Sequence, residues 1–121
     1  MSAEPFDAVR ARLADDLLHA VGDPEAAATN WLRRLAEAGA ALPEWWHVLK
    51  LAEEAGEVSR AWLRAEGRAR QPGSEAELAE ELADVVITAH AVAALRGLDL
   101  TRAIGAKHAQ LMTRDLGGLL T

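Results

Sequence analysis

The chain is predicted to be all-α, a helical bundle of about five helices, on three observations. Much of its apolar content is alanine, its apolar residues recur at helical spacing, and its helix starts and stops are marked by capping acids, prolines and glycines. One Phe and no Tyr argue against a sheet rich in aromatic and β-branched residues. At 121 residues the chain can build one modest core, and no linker or low-complexity segment divides it. It reads as one domain over residues 1–121, with a motif-bearing core of about 43–114 and a mobile tail of about 115–121.

Pro5 suits a first helical turn, and Phe6, Val9, Leu13, Leu17 and Leu18 follow at helical spacing, so a first helix is expected from about Pro5 to Val21. Gly22 ends it. Asp23-Pro24, an N-cap acid followed by proline at N1, starts a second helix that carries Trp31, Leu32 and Leu35 to a stop at Gly39. Pro43 opens a third, with Trp46, Leu49, Val58, Trp62 and Leu63 as its apolar positions and Gly67 as its stop. A polar loop follows, through Arg68, Arg70, Gln71 and Pro72 to Gly73. Ser74 and Glu77 then form a capping-box pattern for a fourth helix that runs to Arg96 and stops at Gly97. Asp99 caps a last helix, roughly Leu100 to Arg114.

A formal charge of −6 and a sequence pI near 5.2 argue against nucleic acid or an anionic membrane as the main partner. The chain has no cysteine, hence no disulfide, thiolate metal site or cysteine nucleophile, which suits the cytoplasm. Met1 to Phe6 lacks the basic and apolar regions of a signal peptide. The longest apolar run, Val85 to Leu95, is interrupted by Thr88 and His90 and falls short of the roughly 20 residues a membrane span needs. It is expected to be a buried helix.

One octet occurs twice. Leu51 to Val58 and Leu78 to Val85 both read Leu-Ala-Glu-Glu-x-small-acid-Val, twenty-seven positions apart. Each copy places two acids at i and i+3, Glu54 with Glu57 and Glu81 with Asp84, so a helix presents them on one face. The two helices are joined by a short loop and can meet as antiparallel neighbours, which would gather four carboxylates.

The plainer reading is a solvated face held by ion pairs such as Lys50 with Glu54 and Glu57 with Arg60 or Arg64. Against it stand the repetition itself and the apolar setting of Glu81 and Asp84 among Leu82, Val85 and Val86, where a carboxylate is costly unless paired or metal-bound. Clustered carboxylates repel by several kcal/mol per close pair at an effective dielectric of about 20, so they take up protons or a cation. All-oxygen ligands favour Mg²⁺, Mn²⁺ or Ca²⁺. Glu53 adds an acid that could bind a second ion or accept a proton from water, whereas Glu80, its counterpart, is expected to be solvated.

Other chemistries find less support. A di-iron bundle wants two Glu-x-x-His pairs, and the chain has one, Glu44-Trp45-Trp46-His47. His19, His47, His90 and His108 are scattered, and neither a glycine-rich phosphate loop nor a serine triad is evident.

The pattern Lys50-Leu51-x-Glu53-Glu54-x-Gly56-Glu57, then Glu81-Leu82-x-Asp84-Val85-Val86, then Gly97-Leu98-Asp99-Leu100 and Lys107 resembles the MazG-like branch of the all-α nucleoside triphosphate pyrophosphatases. Twenty-three residues separate its Glu-x-x-Glu from its Glu-x-x-Asp, and the likeness runs from about Leu49 to Lys107. The resemblance implies a Mg²⁺-dependent hydrolase, with Mn²⁺ as a substitute, that cleaves a nucleoside triphosphate between the α and β phosphates and removes modified or surplus triphosphates. It implies that Glu54, Glu57, Glu81 and Asp84 hold the metal, that Glu53 orients or deprotonates the attacking water, and that Lys107 binds phosphate. The asparagine usual four residues after that lysine is Leu111 here, which leaves Arg114 as the nearest basic side chain. Trp31, Trp45, Trp46 and Trp62 could stack on a base, and Trp46 is the one taken as substrate-binding. The family packs such bundles together, so a homodimer or homotetramer is expected. The alternatives are a non-catalytic nucleotide- and metal-binding regulator and a structural bundle with solvated acids.

Overall fold

The computed structural model describes residues 5, 7, 8, 10, 22–40 and 42–120, and among these the protein is helical with no strand. Four longer helices, α1 (Pro24–Glu37), α2 (Glu44–Ala65), α3 (Glu75–Leu95) and α4 (Leu100–Met112), precede a single turn, α5 (Gly117–Leu120), in the expected tail. The helix expected from Pro5 to Val21 falls for the most part outside the described residues.

The caps form where the side chains predict them. Asp23, Ser74 and Asp99 accept from the backbone N–H of Glu25, Glu77 and Arg102 at 3.0, 3.1 and 3.0 Å. The capping box at Ser74 is only half made, because the Glu77 carboxylate turns instead to Arg64 at 3.5 Å. α2 begins after Pro43 without a side-chain cap.

α2 ends on Gly67, whose φ of 73° lets its N–H reach the Arg64 carbonyl at 3.1 Å while Arg68 N–H reaches that of Leu63 at 2.8 Å. The loop then folds back onto the helix it has just left. Gly73 N–H donates to the Arg64 carbonyl at 3.2 Å, and Arg64 Nη2 donates to the Pro72 carbonyl at 3.2 Å. A Cβ on Gly73 would stand 2.7 Å from Arg64 Cβ, so only glycine permits this approach.

From that anchor α3 runs antiparallel to α2. Arg64 meets Glu77, Glu54 meets Glu81 and Asp84, and Trp45 and Val48 share a groove with Val92 and Leu95. α3 is the central helix, with α2 packed along it most extensively and α1 next. Among the described residues the core is mostly alanine: Ala28, Ala61, Ala91 and Ala93 are buried with Leu78, His47, Glu54 and His90, and no large side chain of these residues is fully enclosed. Alanine at these crossings lets the helix axes approach closely.

One expectation about burial is corrected: α3 is not enclosed all round, since Leu82 and Val86 are each nearly half exposed. On α2 the apolar positions Leu49, Trp62 and Leu63 are likewise exposed. A helical period identifies an apolar face but not whether the same chain supplies its cover, and here α1 and α2 cover only part of α3.

Replacing Gly73 with alanine is expected to lower unfolding free energy by about 1–3 kcal/mol, as overpacking against Arg64 does. Gly56→Ala, at a mid-helix position with nothing within 4 Å of the new Cβ, is expected to raise it by about 0.5–1 kcal/mol. Urea titration of the two variants measures both.

Candidate metal centre

The hairpin register brings one acid of the first octet to both acids of the second. Glu54, Glu81 and Asp84 each offer a carboxylate oxygen, and the three oxygens lie within 4.8 Å of one another. Glu54 is buried, Glu81 half-buried and Asp84 exposed. The buried member therefore sits on α2, the reverse of the expected division between the two octets.

Desolvation, then the charges of Asp84, Glu54 and Glu57, push the Glu81 carboxyl above its ordinary range. Asp84 is pushed up by desolvation and then by Glu54, with Lys50 acting the other way. Lys50 is the cation already in place: its Nζ lies 2.9 Å from Glu54 and 3.5 Å from Glu53. The hydrogen bond to Glu54 holds its ammonium above the usual lysine range. Three converging carboxylates, two of them ionising reluctantly, fit a hard divalent cation by charge and by donor type.

Glu57, expected as a fourth ligand, stands outside the group of three. It pairs with Arg60 at 3.4 Å and touches the cluster through its field on Glu81. Glu53 is exposed beside Lys50, and Glu80 is solvated as expected. Lys107 donates to Gln110 at 3.3 Å on α4, a helix that packs extensively on no other described helix, and Arg114 follows it at the surface. The hairpin thus gathers Glu54, Glu81 and Asp84 but not Glu57, Lys107 or Arg114.

A cleft of about 300 Å³ opens directly beside the carboxylates, with Glu54 and Asp84 at its edge and Trp31, Trp46, His47 and Thr88 among its walls. His47 is buried and meets the Trp46 ring edge-on, with centroids 5.1 Å apart and planes at 84°. Trp46, the tryptophan expected to bind substrate, lines this cleft together with Trp31. Trp45 lies in a different groove, and Trp62 is exposed. His47, read from the sequence as one of four scattered histidines, precedes Glu54 by seven residues, two turns along the same face. Trp31, one of the four tryptophans that could stack on a base, reaches the cleft from α1, a placement that its local sequence does not give.

Fold and site together define an all-helical protein in which a cluster of three carboxylates, able to take a divalent cation, lies beside an aromatic cleft. Residues 47–117 match the MazG nucleotide pyrophosphohydrolase domain, and the chain belongs to that family. The match contains all three clustered carboxylates and leaves out α1. No curated protein and no solved structure matches significantly. Among the described residues no helix is long and apolar enough to cross a membrane.

The raised carboxyls give a stability prediction. A carboxyl whose pKa is higher in the folded than in the unfolded chain binds more protons when folded, so folding weakens as pH rises through that interval. Glu81→Gln removes the repulsion and is expected to melt higher than the parent without metal at neutral pH. The gap should close as pH falls below the ordinary glutamate range of about 4.3. The same variant should lose the rise in melting temperature that divalent metal gives the parent, which thermal scans with and without Mg²⁺ measure.

Proposed function

We propose that the protein is a Mg²⁺-dependent nucleoside triphosphate pyrophosphohydrolase that breaks the α–β anhydride and releases a monophosphate and pyrophosphate, acting on the nucleotide pool of the cytoplasm. The observation that carries the reading is the meeting of Glu54, Glu81 and Asp84 at the mouth of the aromatic cleft, within the stretch that matches the family. A base can lie against Trp46 while its phosphates reach the carboxylates.

Glu54, Glu81 and Asp84, with Glu57 one turn further on, would hold Mg²⁺, whose charge would offset that gathering on the phosphates as the anhydride breaks. Glu53 is the acid left to work on water. Its carboxylate is exposed to solvent beside Lys50, so it can orient a water and take its proton as the new phosphorus–oxygen bond forms. The bridging oxygen leaves with pyrophosphate.

Association of copies, as a dimer or tetramer, supports this chemistry. Leu82 and Val86 on α3, Trp62 and Leu63 on α2, and Ile104 and Met112 on α4 are large apolar side chains about half exposed or more, which packing against further copies would cover. Covering α4 in an assembly is the route by which Lys107 and Arg114 would join a phosphate site.

Incubation with ordinary and modified triphosphates and Mg²⁺ is expected to yield monophosphate and pyrophosphate in equal amounts. Glu53→Gln should lower kcat by roughly 10²–10⁴-fold while Mg²⁺ affinity is kept. Release of inorganic phosphate alone, or no turnover of any triphosphate, would contradict the proposal.

A further inference from the structure

Arg60, Arg64 and Arg70 line one open cleft of about 340 Å³ together with Ala69 and Gln71. In a chain of formal charge −6 this is a concentration of cations that needs a reason. Arg60 reaches Glu57 and Arg64 reaches Glu77 only at 3.4 and 3.5 Å. Arg64 Nε is buried with no hydrogen-bond partner, and Arg70 makes no ion pair among the described residues. The three guanidiniums are gathered by backbone contacts, the Gly73 approach and the Arg64–Pro72 bond that fold the loop onto α2. Arg70 without an acid, beside Arg60 and Arg64 that each hold a single carboxylate at long range, leaves donor forks with N–H groups to spare, and such a group suits a polyvalent phosphate whose oxygens accept paired N–H bonds.

The position of this cleft selects which phosphate. Along α2 the order is Trp46 and His47, then Lys50, Glu54, Glu57, Arg60 and Arg64, each about one turn beyond the last. The aromatic cleft lies toward the N-terminal end of that row, the carboxylates in its middle and the arginine cleft toward its C-terminal end. We propose that the arginine cleft takes the terminal phosphates of the substrate and then the departing pyrophosphate. The nucleotide thus lies along α2 with its base at Trp46 and its tail at Arg60 and Arg70. This inference rests on the pyrophosphohydrolase reading for the direction of the substrate, while binding of a phosphate chain by the cleft can be tested by itself.

The test is calorimetry on the full chain with Mg²⁺, comparing the parent with the double variant Arg60→Gln, Arg70→Gln. The probes are inorganic pyrophosphate, a nucleoside monophosphate and an α,β-imido triphosphate. Arg64 is left intact because it anchors the loop, and a melting scan verifies folding. Pyrophosphate and the imido triphosphate should bind roughly tenfold or more weakly to the variant, with the monophosphate unaffected. Unchanged pyrophosphate affinity, or no pyrophosphate binding by the parent, overturns the proposal. Equal weakening of the monophosphate overturns the assigned direction. Hydrolysis measured in parallel separates the two ideas. Turnover by the parent with unchanged pyrophosphate affinity in the variant removes only the arginine cleft. Arginine-dependent pyrophosphate binding without turnover keeps the cleft and removes the enzymatic reading.

Discussion

The structure depends on the register of α2 against α3, and that register is set where the loop between them returns to Arg64. Gly73 allows the loop backbone to touch the helix, and the two bonds between Arg64 and residues 72 and 73 hold it there. α3 then starts from a fixed point, and its acids arrive opposite Glu54. A slip of one turn would carry Glu81 and Asp84 about 5 Å along the axis and separate the carboxylates. The same contact shapes the arginine cleft, so one short loop positions both anionic and cationic parts of the hairpin.

A gathering of like charges is a cost that folding has to offset. Lys50 does so in part by its short bond to Glu54, and Glu81 and Asp84 respond by ionising less readily than usual. A divalent cation would relieve what remains, so the repulsion that folding has to offset is also what would favour a metal there. The arrangement is also asymmetric along α2, with aromatic surface before the carboxylates and guanidiniums after them. A substrate with an aromatic end and a polyanionic end has that same asymmetry.

Much of this was legible in the sequence. Capping acids, prolines and glycines placed the four longer helices nearly to the residue, and the doubled octet named all three clustered carboxylates. Its spacing did not separate Glu54 from Glu57, because residues three apart on a helix differ by about 60° in direction, enough for one to face α3 and the other Arg60. Hydropathy around α3 read as burial, yet Leu82 and Val86 remain open, since periodicity is silent on where the covering surface comes from. Trp31 and the arginine cleft depend on contacts between segments distant in the chain, and residues 67–73 by themselves read only as a polar loop.

The central claim, that Glu54, Glu81 and Asp84 form a divalent-cation site between the two clefts, is tested most directly by anomalous diffraction from crystals soaked in Mn²⁺. The expected result is a manganese peak within coordination distance of all three carboxylates, with Lys50 drawn away from Glu54. A peak elsewhere on the chain, or none at a concentration that saturates Mn²⁺ binding in solution, would contradict it.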